Sequence, residues 1–170
     1  MEQERFDIVD EDDLVIGQAT RDEVHGNPDL IHRVVHVLVF NTAGELYLQL
    51  RAPDKDVQPD RWDTSVGGHV DSGERCEVAA RREMREELGI SPGTLEPLYR
   101  YLHRNSFESE MVRTYRVTWD GRIKVDAGEI ADGRFWSLDE IDRSDPELFT
   151  PNFLDELGRY RQWTSLSAEK

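Results

Sequence analysis

Cysteine is nearly absent from this chain. Cys76 stands alone, which excludes an intramolecular disulfide framework and fits a reducing cytoplasm, the location expected here. Lysine is almost as scarce: Lys55, Lys124 and Lys170 are three of 21 basic residues, so arginine carries most of the positive charge. No long apolar run occurs and the segment from Met1 to Arg5 is polar, so neither a membrane span nor a secretory leader is expected. No internal repeat or linker divides the 170 residues, and a single domain over 1–170 is long enough to bury a core. What the chain has in excess is acid, with 36 Asp and Glu and a net charge of -15. Such a surface repels a nucleic-acid polymer and an anionic membrane alike. A small phosphate compound would meet the same field, so a site that takes one calls for a divalent cation. Acid excess with few lysines fits adaptation to high salt and also genome composition. Against nonspecific association the charge acts mildly, leaving monomer or homodimer open.

The pattern along the chain alternates strands with a few helices. Phe6 to Asp10 and Leu14 to Thr20 read as short strands around the acidic turn Asp10 to Asp13. Arg21 to Leu30 reads as a turn or short helix followed by loop. Ile31 to Phe40 is β-branched and apolar enough to be a central strand, and NTAGE turns it back into Leu46 to Leu50. Arg51 to Arg61, with two prolines, is a loop of the kind that lies over a site. Trp62 to Val66 reads as one short strand, and Leu95 to Arg104 with Met111 to Asp120 as a strand pair. Asp120-Gly121 signals a hairpin with a short return over Arg122 to Val125. A last strand over Gly133 to Ser137, a short helix capped by Ser137 and a final amphipathic helix over Phe149 to Trp163 complete the reading. Strands interleaved with helices argue for an α/β sandwich.

The stretch from Gly68 to Ile90 organises the rest. Glu83, Glu86 and Glu87 fall at i, i+3 and i+4, so a helix carries all three carboxylates on one side. Ala80, Met84 and Leu88 give the same helix an apolar face, Gly89 is placed to end it, and Ser72 is its expected N-cap. Glu86-Glu87 alone would be an ordinary solvated pair. The full pattern G-x5-E-x7-R-E-U-x-E-E-x-G-U, with U apolar, is another matter, and Gly68, Glu74, Arg82, Glu83, Met84, Glu86, Glu87, Gly89 and Ile90 fill it. With each residue type at roughly 6% usage, seven fixed identities coincide by chance about once in 10^9 starting points. Clustered carboxylates beside a glycine loop suit Mg2+ or Mn2+, hard ions that take oxygen ligands together with substrate phosphates. Glu83 and Glu87 form the best metal pair, Glu86 the third ligand, and the Gly68 carbonyl a further oxygen. Arg82 and Glu74 read as a pair that fixes loop against helix. Arg51 and Lys55 flank the substrate-facing loop and could hold phosphate oxygens. His36, Trp62 and Trp136 read as structural. Glu108 and Glu110, if extended, would point to opposite faces, bringing at most one into a site.

The pattern over 68–90 is the Nudix box, and the chain resembles the Nudix hydrolase superfamily. That resemblance implies a Nudix-type α/β/α sandwich with a central mixed sheet and the same roles for Arg82, Glu83, Glu86 and Glu87. It leaves open which glutamate is the base, and Glu110 is carried as a candidate catalytic residue and His69 as a candidate substrate contact. Glu129 sits where some Nudix enzymes present an extra loop carboxylate. A narrower resemblance, to the isopentenyl diphosphate isomerase branch, rests on His25 and His32, then TSVGGH, FESE and FTPNF. It implies one metal held by His25, His32, His69, Glu108 and Glu110. The branch's isomerases carry a catalytic cysteine before the glycine-histidine pair, where this chain has Gly67, and a carbocation-shielding aromatic near Asn152. Cys76 lies nine residues on, inside the box, and is not assumed to take its place. The expectation is therefore a Mg2+- or Mn2+-dependent hydrolase of a diphosphate linkage in a nucleoside diphosphate derivative or nucleotide. An isopentenyl diphosphate isomerase and a nucleotide-sensing domain without turnover are the alternatives.

Overall fold

The computed structural model describes residues 2–169. Its centre is β3 (Ile31–Phe40), and the reason is visible in the sequence: ten residues dominated by Val, Leu, Ile and Phe can be buried on both faces. One edge of β3 pairs in parallel along its whole length with β8 (Ser109–Thr118). The other edge is shared by three antiparallel partners, β1 (Arg5–Val9), β6 (Val66–His69) and β4 (Leu46–Arg51). β2 (Val15–Thr20) extends the sheet beyond β1, β7 (Glu96–Arg104) beyond β8, and β5 (Trp62–Asp63) with β9 (Ile130–Trp136) beside β4. The result is a mixed sheet flanked by helices, as expected.

Alternation along β3 sorts its side chains into two cores. Val35, Val37 and Val39 pack with Ala79, Ala80, Met84 and Leu88 of α2 (Cys76–Leu88). Leu38 and Phe40 pack with Phe153, Leu157 and Tyr160 of α4 (Pro151–Ala168), joined by Ile141 of α3 (Leu138–Arg143). The tryptophans belong to this second core: Trp136 is buried edge-on to Trp62, with ring centroids 5.2 Å apart. A four-residue helix, α1 (Arg21–Val24), follows β2 and carries His25 at its C-cap.

Several expected boundaries move for identifiable reasons. Ser72 does not cap α2, because its hydroxyl donates to Asp7 at 2.8 Å, and the N-cap is Arg75, whose side chain makes no capping bond. Gly89 ends α2 as expected, at φ 64°, with its N–H and that of Ile90 on the Arg85 and Met84 carbonyls. Trp62 to Val66 is two strands rather than one, since β5 pairs with β4 and β6 with β3. Arg122 to Val125 forms no strand. Its backbone instead satisfies the end of α2, Lys124 N–H donating to Leu88 O and Asp126 N–H to Glu87 O, both at 3.0 Å. β9 begins at Ile130 rather than Gly133 because its pairing with β4 continues to Arg51. α4 starts at Pro151, capped by Thr150, and runs five residues past the expected Trp163.

Candidate active site

Gly67 and Gly68 lie on β6 where α2 passes over it, and their lack of side chains decides what reaches the sheet. A Cβ on Gly68 would fall inside the Glu83 side chain, so this glycine lets the carboxylate come down onto the strand. Arg82 locks the arrangement. Its guanidinium donates twice to Glu74, both bonds 2.9 Å, once to the His69 carbonyl at 3.1 Å and once to Glu83 at 2.8 Å. Glu74 also accepts the Asp71 N–H at 2.9 Å, so the expected Arg82–Glu74 pair ties the loop to the helix through both partners. Those hydrogen bonds to Glu74 hold Arg82 charged, its pKa raised above the ordinary guanidinium value.

The three box glutamates differ. Glu87 is the most enclosed, accepting from Gln49 Nε2 at 3.1 Å and from the Gly67 N–H at 3.3 Å. Burial pushes its carboxyl up to about 8, against the Gln49 hydrogen bond and with the Glu83 charge adding. Burial also raises Glu83, against the pull of Arg82. Glu86 is 58% exposed and reaches Arg82 at 3.4 Å. All three line one cavity of about 440 Å³, together with Gly68, Arg21 and Glu129. A second chamber of about 220 Å³ shares Gly67, Gly68, His69 and Glu87 with it and is closed on the far side by His36, Arg51, Glu110 and Asn152. A larger groove, about 760 Å³, lies elsewhere around Phe40, Trp119 and Tyr160 and holds none of the candidate groups, so size does not mark the site.

Of the expected substrate contacts, Arg51 lines the inner chamber, with Nε on the Val57 carbonyl at 3.0 Å and Nη1 3.4 Å from Asp63. Lys55 reaches the site only through its ion pair with Glu129, at 2.5 Å. Cys76, the first residue of α2, packs against the α2 core instead.

The second constellation closes up more tightly than the first. His25, His32 and His69 each bring a ring nitrogen within 4.8 Å of the others', and His32, Glu108 and Glu110 form an overlapping group of the same size. The box glutamates do not make such a group among the described residues. The expectation that only one of Glu108 and Glu110 could enter fails because Glu108 precedes β8. It belongs to a turn in which the Asn105 side chain accepts the N–H groups of Phe107 and Glu108, both at 2.8 Å, and strand alternation does not govern it. Gly26 N–H donates to the Phe107 carbonyl at 2.8 Å and so fastens the His25 loop to that turn. His32 is fully buried, yet neither ring nitrogen has a hydrogen-bond partner. Burial, aided by the charges of His69 and His25, lowers His32 to about 3; burial and then Arg21 lower His69 to about 4. Both are therefore neutral imidazoles, the form that ligates metal. Burial and the charge of Glu108 push Glu110 up to about 7.

Three groups at the site were not singled out from the sequence: Gln49, Asp63 and Glu156. Gln49 had a signal, a single amide in the otherwise apolar run LYLQL. Asp63 and Glu156 had none, being acids among many.

The NUDIX domain family model matches residues 30–157. The chain belongs to the NUDIX family. An uncharacterized Nudix hydrolase of Listeria monocytogenes is 31% identical over 96% of this chain and 98% of its own length. An isopentenyl-diphosphate Delta-isomerase of Nocardia farcinica is 32% identical over 85% of this chain and 87% of its own. Among solved structures, the Nudix chain resembles DR0079 from Deinococcus radiodurans at 31% identity and a TM-score of 0.69, covering 81% of this chain and 86% of that one. The Nudix relatives and the shared architecture support a hydrolase. No helix among the described residues is long and apolar enough to cross a membrane.

Proposed function

We propose that this Nudix protein is a divalent-metal-dependent hydrolase of a diphosphate linkage in a nucleoside diphosphate derivative or a nucleotide. The observation that carries this reading is the descent of Glu83 onto Gly68 beside Glu87, with Arg82 clamping the loop, at the junction of two chambers. A site lined by Glu83, Glu86 and Glu87 fits a hard cation: Glu87 is held protonated by burial, the condition an incoming ion relieves. Glu83, Glu86, Glu87 and the Gly68 carbonyl would hold Mg2+ or Mn2+, which when bound neutralises a diphosphate and acidifies water beside it. Arg51 donates to phosphate oxygens from the chamber wall. Glu110, held near neutrality, takes the proton of a water as its oxygen bonds to phosphorus and the bridging P–O bond breaks. His25, His32, His69 and Glu108 would hold a second ion, with Glu110 a ligand only where it is not the base, and an unpartnered nitrogen of buried His32 fits that role.

The test is Glu87→Gln, assayed on a panel of nucleoside di- and triphosphates, nucleotide sugars, dinucleotides and isopentenyl diphosphate with Mg2+ and with Mn2+. Turnover falls by at least about 10^3-fold, equivalent to about 4 kcal/mol, while the circular dichroism spectrum stays native. Wild-type phosphate release from that variant overturns the assignment.

The histidine group and the Nocardia relative favour an isomerase as the second reading. Gly67 puts no thiol at the chamber and Asn152 no aromatic ring, and Cys76 sits in the α2 core. Appearance of dimethylallyl diphosphate by NMR would establish it.

A further inference from the structure

Deep in the inner chamber lies a histidine that neither metal group uses. His36 occupies the middle of one cross-strand row: Gly67 on β6, His36 on β3, Thr114 on β8 and Tyr99 on β7 are successive neighbours. Over this row α4 lays Glu156, whose carboxylate is fully buried and accepts from three sides. His36 Nδ1 lies 2.8 Å from Oε1, Thr114 Oγ1 donates to the same oxygen at 2.8 Å, and Tyr99 OH donates to Oε2 at 2.6 Å. An ionised carboxylate only accepts, so the Nδ1 proton belongs to His36 and points at Glu156. The other nitrogen, Nε2, has no hydrogen-bond partner among the described residues. It faces Gly67, 3.8 Å from where a Cβ would stand, and the absent side chain leaves it open to the chamber.

We propose that His36 binds the substrate, its Nε2–H donating to a non-bridging phosphate oxygen at the inner end of the chamber, with Glu156 as the residue that positions it. The lining of the chamber supports this: with His69 held neutral by burial, Arg51 and His36 are its basic side chains able to donate to a phosphate, among the carboxyl groups of Asp63, Glu87 and Glu110. Arg51 already spends donors on Asp63 and the Val57 carbonyl, whereas the outward nitrogen of His36 is uncommitted. Burial works against a charged imidazole, but the hydrogen bond and charge of Glu156, with Glu110 and Asp63 behind, outweigh it and raise the His36 pKa. Burial likewise opposes ionisation of Glu156, and its His36 partner holds the carboxyl low. The outward N–H of an imidazole anchored on a buried carboxylate can donate to a phosphate oxygen, and a diphosphate, entering with its cation, is the anion the chamber is proposed to take.

This inference rests on the diphosphate reading, and the experiment separates the two. Binding of methylenediphosphonate, which is not hydrolysed, is measured by calorimetry with Mg2+ present on wild type, His36→Ala, His36→Gln and Glu156→Gln, alongside kcat and KM on the best substrate of the panel. The expected result is at least about tenfold weaker binding and a KM raised as much in His36→Ala, recovery to within about threefold in His36→Gln, which restores an N–H, and weakening in Glu156→Gln. In wild type, the ¹⁵N resonance of His36 Nε2 moves when the probe is added and that of Nδ1 moves less, a readout that needs no variant to fold. Probe affinity and KM unchanged in His36→Ala, or a His36 signal indifferent to the probe, overturns the proposal and leaves the hydrolase reading standing. Probe binding through His36 by a protein that turns over no diphosphate does the reverse. A wild type that does not bind the probe overturns this proposal outright.

Discussion

Two adjacent glycines make opposite demands on the site. At Gly68 an added methyl group meets the Glu83 side chain itself, not just its tip, so the carboxylate has to leave the strand. At Gly67 the nearest atom is His36 Cδ2 at 3.4 Å, an ordinary contact, and the methyl group would only fill chamber space. Gly68→Ala is therefore expected to lower kcat by about 10^2-fold or more, because Glu83, a carboxylate proposed to hold the cation, is displaced. Gly67→Ala keeps the fold and kcat within about threefold and shows its effect in KM. Equal kcat losses in the two variants, measured side by side, would mean that Glu83 does not depend on the space above Gly68. The spacing of the box made Gly68 legible as part of a pattern but gave no reason for it. The reason is a distance between residues fifteen apart, and only the packing of α2 on β6 supplies it.

α2 shows the same division at the level of an element. Its C-terminus could be read from the sequence, since Gly89 takes the left-handed conformation that a glycine tolerates at little cost. Its N-terminus could not. Ser72 looks like a cap until β1 is placed beside the loop, where Asp7 accepts the hydrogen bond of its hydroxyl, and the helix then starts at a residue whose side chain satisfies none of the free N–H groups. Arg75 is 81% exposed and makes only a 4.0 Å contact with Glu77, so replacing it disturbs little. Arg75→Ser supplies a capping oxygen and removes a positive charge from the positive end of the helix, for an expected gain of about 0.5–1 kcal/mol. Chemical denaturation checks this, and a midpoint unchanged or lowered would show that the cap geometry is already satisfied by solvent. The Glu108 turn is a further case: period-2 reasoning excluded a residue that the Asn105 side chain had already taken out of the strand.

For the molecule as a whole, the site sets how stability follows pH. Glu87 and Glu110, ordinarily near 4.5, titrate at about 8 and about 7 when folded, so between those values the folded chain binds more protons than the unfolded chain and loses stability as pH rises. His32 and His69 run the other way: lowered from 6.5 to about 3 and about 4, they bind fewer protons when folded, and stability falls as pH drops through that window. The two pairs oppose each other from about 4.5 to 6.5, which makes that interval the most stable range of the metal-free protein with respect to these four groups. Each unmatched proton is worth about 1.4 kcal/mol per pH unit, a steep slope on a fold of ordinary stability. A divalent cation held as proposed would compete with the protons on Glu87 and Glu110 and remove the alkaline loss. The rise in melting temperature on adding millimolar Mn2+ to chelator-treated protein is accordingly larger at about pH 8 than at about pH 5.5. A gain of equal size at both, followed by calorimetry, would show that the ion binds away from these buried carboxyls. The sequence announced a surplus of acid and hence a need for cations, but it could not say which acids are buried. That selection is made by the packing of helices on the sheet: α2 brings Glu87 and β8 brings Glu110 into the chamber, α4 buries Glu156, and most of the other carboxylates stay in water.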